Sequence, residues 1–259
     1  MFVTMSTEFF GHVAAPELQI PSLAKRTTFH GIKRRWLRER RRRKVGRAYD
    51  MALEIARVLP SGSEILDMGC GNGFIAHHLS TLLRASVIGI DVMAATDASI
   101  DYRQYDGVHI PIADNSVDAV LLCYVLHHAQ DAAFLLREIK RVLQPSGHVV
   151  IYEDIPQTVW DRFVCLTHDL RWRKRTGPCT FRDEAGWQSL FQEMGFEIIR
   201  ERPLSRLRNL SHPVCRRLFV LRAGRDFNAL SARPANRRNR LSVLPNKSIE
   251  LPSCSFPAS

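Results

Sequence analysis

The sequence predicts an α/β protein built on parallel strands, and three stretches carry that prediction. Glu64 to Met68 is a short apolar strand that runs into alternate glycines. Beyond them Ile75, Ala76, Leu79, Leu82 and Leu83 recur at the spacing of one helical face. Ser86 to Asp91 is a second buried strand ending in a carboxylate, and Val117 to Cys123 is a third. The helix Asp131 to Leu143, apolar at Phe134, Leu135, Ile139, Val142 and Leu143, then leads into a strand over His148 to Tyr152. Strands alternating with helical patterns make β-α-β units.

In chain order, residues 1–30 have no sustained periodicity and include Gly11, Pro16 and Pro21, so they read as a mobile tail. Residues 31–59 read as helical: a basic first half, then an apolar face at Ala48, Tyr49, Ala52, Leu53, Ile55, Ala56 and Leu59 that should pack on the domain. Pro60, Ser61 and Gly62 turn the chain into the first strand, and residues 60–223 form the α/β domain. Met93 to Gln104 reads as irregular. Pro145, Ser146 and Gly147 stop the helix that precedes His148. Residues 156–180 contain Trp160, Phe163, His168, Trp172 and the basic run Arg171, Arg173, Lys174, Arg175. Phe181 to Met194 reads as a helix ended by Gly195, and Phe196 to Glu201 and Cys215 to Arg222 as a last pair of strands. Residues 224–259, rich in Pro, Asn, Ser and Arg, read as a disordered basic tail.

Composition narrows the class. Of 259 residues, 45% are apolar, enough for a core, while no apolar run is long enough to span a membrane. Glu8, His12, Pro16 and Glu17 interrupt any leader-like segment, and the six cysteines show neither C-x-x-C pairing nor zinc-finger spacing. A cytoplasmic protein with free thiols is expected, with peripheral membrane contact left open. Charge is concentrated: residues 25–47 hold twelve Lys or Arg against one Glu, a net of +11 that equals the charge of the whole chain. That segment suits nucleic acid, an anionic membrane surface, or a solvated helix without a partner.

The turn Asp67-Met68-Gly69-Cys70-Gly71-Asn72-Gly73 lets a ligand lie on bare backbone, and the helix that follows offers free N–H groups to an anion. The dinucleotide fingerprint G-x-G-x-x-G would place its third Gly or Ala at position 74, where this chain has Phe74. Asp91 can accept two hydrogen bonds from ribose hydroxyls, which suits any nucleoside.

The spacing Asp67-x-Gly69-x-Gly71-x-Gly73 resembles the first motif of class I S-adenosylmethionine-dependent methyltransferases. Asp106, five residues before Pro111, followed by Asn115 and Asp118, resembles the subgroup containing the ubiquinone and menaquinone biosynthesis enzymes. Arg137, Glu138, Arg141, Val142, Leu143, Pro145 and Gly147 match that subgroup's R-E-x-x-R-V-L-x-P-x-G pattern. The resemblance implies a Rossmann-like, doubly wound, seven-stranded, mostly parallel sheet with an antiparallel last strand. It implies S-adenosylmethionine as cofactor, held at Asp67, Gly69, Cys70, Gly71, Gly73, Asp91, Val92, Asp106, Gly107 and Cys123. Asp106 would accept from the adenine amino group, the glycines would pass beneath the methionyl part, and residues 156–180 would cover the acceptor.

Methyl transfer from a sulfonium is an in-line displacement that depends mainly on alignment. Where the acceptor must lose a proton, His128 is the candidate base, among His127, Tyr124, Glu153, Asp154 and His168. Adjacent histidines leaving a strand should diverge, so at most one of His127 and His128 should face the pocket. No ligand spacing calls for a metal, and none is expected. The favoured acceptor is a small or lipid-like molecule. RNA or protein methylation through the basic flanks, and cofactor binding without turnover, are the alternatives.

Overall fold

The computed structural model describes residues 27–209 and 212–224, leaving aside the side chains of residues 27–32, 207 and 208. Most of the expected N-terminal tail, the first positions of the basic segment and all but one residue of the expected C-terminal tail lie outside the described residues, as does Cys254. The chain divides into two compact units, residues 1–43 and 44–259. The helix α1 (Thr27–Ala56) crosses that division. In the first unit residues 33–43 are exposed, Arg43 pairs with Glu39 at 3.0 Å, and the Arg40 guanidinium lies 4.5 Å from the Trp36 ring centre.

The second unit contains a seven-stranded sheet: β1 (Glu64–Met68), β2 (Ser86–Asp91), β3 (Asp101–Gln104), β4 (Val117–Cys123), β5 (Leu143–Asp154), β6 (Phe196–Leu204) and β7 (Arg216–Ala223). Their spatial order is β3-β2-β1-β4-β5-β7-β6. The first five pair in parallel, and β7 is antiparallel to both β5 and β6, as the resemblance implies. Helices α2 (Phe74–Leu82), α3 (Ala132–Val142), α4 (Val159–Thr176) and α5 (Glu184–Glu193) complete the unit.

Period-two alternation assigns each strand residue to a face. Leu66, Met68, Ile88, Ile90, Val120, Leu122, Val149 and Ile151 pack with Leu135, Leu136 and Ile139 of α3 and Trp187, Leu190 and Phe191 of α5. Ile65, Val87, Ala119, Leu121, Val150 and Tyr152 pack with Ala52 and Ile55 of α1 and Ala76 and Leu79 of α2. Both faces are therefore buried, which is why the strands read as continuous apolar runs. Asp131 caps α3 by accepting the Phe134 N–H at 2.9 Å, worth about 1 kcal/mol. Among the described residues no helix is long and apolar enough to cross a membrane.

Two expectations need correction. Part of the stretch read as irregular is β3, whose Asp101-Tyr102-Arg103-Gln104 pairs with Ile88 to Asp91. An edge strand without a buried face carries no alternation to read. The strand read over His148 to Tyr152 is the middle of β5, which begins at Leu143 and reaches Asp154 after a register irregularity opposite Val117 and Ala119.

Candidate active site

Strand order reverses between β1 and β4, and ligands of open α/β sheets sit at the carboxyl ends of the strands beside such a switch. The segment leaving β1 is tied to β2 there. Cys70 N donates to Ile90 O at 3.1 Å, and Gly71 N donates to Asp91 Oδ2 at 2.8 Å. Gly69 has φ 61°, and a β-carbon on it would stand 2.6 Å from Val125 Cγ2. Gly71 also has positive φ, 54°, but its β-carbon position faces open space. Here the left-handed backbone requires glycine, and the cleared volume leaves the main chain open to a ligand. Gly73 is the N-cap of α2.

Asp67, next to last in β1, is almost fully buried, and neither carboxylate oxygen has a hydrogen-bond partner among the described residues. Burial, with the Asp91 charge adding to it, pushes this carboxyl up to about 7; the Ala76 N–H offsets part of the shift but lies outside hydrogen-bond geometry. A buried carboxylate without donors is an incomplete site. Asp91 accepts Met93 N at 3.0 Å through its other oxygen. The exposed Val92, Met93 and Val108 give this side of the sheet an apolar surface, and Val92 Cγ1 lies 3.2 Å from the position of a Gly107 β-carbon. Asp106 Oδ1 accepts Val108 N at 2.7 Å and His109 N at 2.8 Å. Partial burial raises its carboxyl, yet those two N–H groups and His109 outweigh it and hold the pKa below the usual carboxylate range. The thiols of Cys70 and Cys123 are pushed up, first by burial and then by Asp67, so neither is an activated nucleophile.

A cleft of about 400 Å³ opens beside this turn, lined by Lys44, Arg47, Cys70, Asn72, Tyr124 and Arg216 among others. Arg216 forms an ion pair with Asp154 at 2.9 Å and lies 5.5 Å from the Tyr124 ring centre. Asp154 Oδ2 also meets His212 Nε2 at 2.8 Å. Burial raises the Asp154 carboxyl, but His212 and Arg216 outweigh it and keep it ionised.

The chain leaves β4 through Tyr124, a non-glycine residue at φ 65°, and enters a 3-10 turn over Leu126–His128. Glu153, fully buried at the end of β5, holds that turn. Its Oε1 accepts Val125 N at 3.1 Å and Leu126 N at 2.7 Å, and its Oε2 lies 2.7 Å from His127 Nδ1. The two histidines do not diverge: in the tight turn their ring centres are 4.3 Å apart. His168 of α4 joins them, with its Nε2 3.2 Å from His128 Nε2. Phe181 stacks on His127 at 4.7 Å, and Thr180 N donates to His127 O at 2.7 Å, fastening the segment after α4 to the end of β4.

Titration separates the three rings. Burial lowers the His127 pKa, but Glu153 outweighs it and the net shift is upward. Burial and the neighbouring imidazoles push His128 down to about 3 and His168 down to about 4. His128 is therefore neutral but too weakly basic to take a proton efficiently near neutral pH. The sequence reading names His127, His128, His168 and Glu153, and the structure brings all four together. It does not single out His212 or Arg216, and it names Lys44 and Arg47 only within the basic segment 25–47, as part of a surface for nucleic acid or a membrane and not as lining of this cleft.

Comparison with known proteins agrees with this fold. Residues 66–151 match the family described as a methyltransferase domain. The ubiquinone/menaquinone biosynthesis C-methyltransferase of Desulfotalea psychrophila is 32% identical over 107 residues, 38% of this chain and 44% of that one. The tRNA (carboxymethyluridine(34)-5-O)-methyltransferase of Macaca fascicularis is 32% identical over 108 residues, 39% of this chain and 16% of that one. The crystal structure of an S-adenosylmethionine-dependent methyltransferase from Methanosarcina mazei aligns with a TM-score of 0.52 at 21% identity, covering 66% of this chain and 96% of that one. The chain spans less than half the length of these two sequence relatives. Over β1 to β5 the chain is therefore similar to methyltransferase domains, and its fold is the one seen in solved S-adenosylmethionine-dependent methyltransferases.

Proposed function

We propose that the chain transfers a methyl group from S-adenosylmethionine to a small, apolar or lipid-like acceptor. The observation that carries the cofactor reading is the pair formed by Asp67, a buried carboxylate without donors, and Gly71, whose face opens on unfilled space at the switch point. Gly69, Cys70, Gly71 and Gly73 would lie against the methionyl part, with Lys44 and Arg47 as nearby cations for its carboxylate. Asp91 would accept from the ribose hydroxyls. Val92 and Gly107 would flank the adenine, Asp106 would face its amino group, and Cys123 would line the far side. Bound there, the cofactor supplies an electrophilic methyl group on a sulfonium.

The chain's own contribution is alignment and exclusion of water. Tyr124 and the turn at His127 and His128 stand at the acceptor side, and α4 with Phe181 closes over it. His128 positions the acceptor in this reading and takes no proton. A lipid-like acceptor is supported by α4, which exposes Val159, Phe163, Leu166 and Leu170 along one stripe beside exposed Arg162, Arg171, Lys174 and Arg175. That is the composition of a helix that lies in a membrane interface.

Calorimetric titration with S-adenosylmethionine and S-adenosylhomocysteine, with NAD as control, tests the cofactor. Micromolar binding of both sulfur nucleosides, weakened at least tenfold by Asp91→Ala, is expected. Absence of binding to folded protein would refute it. Labelled methyl transfer into small-molecule and lipid extracts then tests the acceptor class. An RNA acceptor is the second reading, favoured by the exposed basic residues 33–43 and by the tRNA-modifying relative; labelling of RNA in place of the extracts would establish it.

A further inference from the structure

The structure assigns a binding site for one divalent transition-metal ion to His127, His128 and His168, where β4 ends and α4 passes over it. One ring nitrogen from each lies within 4.8 Å of the other two. The sequence conceals this site, because His168 stands forty residues beyond His128 and belongs to a different element.

Three features separate the trio from a packed cluster of aromatic rings. First, His127 is fully buried, and its Nδ1 faces Glu153 Oε2 at 2.7 Å. Glu153 already accepts two backbone N–H groups through Oε1, so Oε2 serves as the acceptor for Nδ1–H, and in the neutral ring, the form that a metal ion binds, Nε2 then presents a lone pair. That Nε2 has no hydrogen-bond partner among the described residues. Leaving such an atom unpaired in the interior is unfavourable, and a cation would relieve it. The arrangement carboxylate–imidazole–vacant nitrogen is the one by which proteins orient metal-bound histidines.

Second, His128 Nε2 and His168 Nε2 are 3.2 Å apart. Two nitrogens that each sit about 2.0–2.1 Å from one tetrahedral ion are separated by roughly 3.3–3.4 Å, so this pair already has the required spacing. His128 Nδ1 lies 3.1 Å from Thr176 Oγ1, an acceptor able to fix the ring with Nε2 free. A hydrogen bond between two neutral imidazoles would explain His128 and His168 alone, but it leaves His127 Nε2 without a partner.

Third, the surroundings suit a soft, partly dehydrated ion. Phe181 stacks on His127, and Trp172 lies 5.9 Å from the His128 ring centre. An all-imidazole donor set selects zinc, cobalt or nickel over magnesium or calcium, which prefer oxygen. Three protein ligands leave a fourth position for water or for an oxygen or nitrogen donor of a bound molecule. Because two ligands lie at the end of β4 and the third on α4, binding would also clamp the covering helix to the sheet.

The assignment is independent of methyl transfer, so its test reads binding. Untagged full-length protein is stripped with chelator, then titrated with zinc by calorimetry and with cobalt by visible absorption. The expected result is one ion per chain at micromolar affinity or tighter, with the intense bands of tetrahedral cobalt and a raised Tm. His168→Ala, which alters a half-buried ring on α4, should weaken binding about a hundredfold. Glu153→Gln should weaken it about 10- to 100-fold. The surface variant His109→Ala should bind as the parent does. No uptake by folded protein, uptake unchanged in His168→Ala, or equal loss in His109→Ala would each overturn the assignment.

Discussion

Replacing Glu153 tests how the end of β4 is held. Its side chain is completely buried and accepts from three donors: Val125 N–H, Leu126 N–H and His127 Nδ1–H. Truncation to alanine leaves those donors in a space closed by Phe181 and too confined for bulk water. A buried donor stripped of its partner costs about 1–3 kcal/mol, and a cavity adds to it. Relief of burying a carboxylate offsets part of this sum, so a net loss of about 3–5 kcal/mol is expected, a large share of the roughly 5–15 kcal/mol that holds a domain folded. Glu153→Gln separates geometry from charge. Its amide oxygen can still serve the two backbone N–H groups, but its NH2 then meets His127 Nδ1 and forces the proton to Nε2. The cost should fall to about 1–2 kcal/mol, with a changed His127 tautomer. Urea unfolding followed by circular dichroism measures the stability of both variants, and the nitrogen shifts of the imidazole report the tautomer. A loss below 1 kcal/mol in the alanine variant, or an unaltered tautomer in the glutamine variant, would refute the account of Glu153 as the residue that sets this turn.

Two further outcomes follow from the same geometry. Gly69→Ala puts a β-carbon 2.6 Å from Val125 Cγ2 on a backbone at φ 61°, so thermal unfolding should show a loss of about 1–3 kcal/mol and titration a weaker S-adenosylmethionine affinity; an unchanged Tm would contradict this. Asp67 titrates near 7 when folded against 3.8 in its ordinary state, so between those values the folded chain keeps a proton that the unfolded chain has lost. Stability of the ligand-free protein should therefore fall as pH rises from about 4 to about 7, by on the order of 4 kcal/mol from this residue, and Asp67→Asn should flatten that fall; parallel curves for parent and variant would exclude it.

Where a stretch of sequence buries its own periodic face, local pattern was enough to foretell the element. The apolar strands ending at Met68, Asp91 and Cys123 and the stripe of α3 are local patterns, and each forms the element expected of it. The glycine spacing after Asp67 was equally legible, because φ near +60° at Gly69 and Gly71 is a backbone demand that few other residues meet. β3 was not legible, since a four-residue edge strand with half-exposed side chains is specified by the free edge of β2 rather than by its own pattern. The histidine cluster belongs wholly to tertiary structure. Tyr124 in a left-handed conformation and Glu153 receiving the next two N–H groups curl the chain so that His127 and His128 share a side, and the path of α4 brings His168 to them. Contacts between residues some forty positions apart follow from how helices and sheet pack, and no local pattern records that.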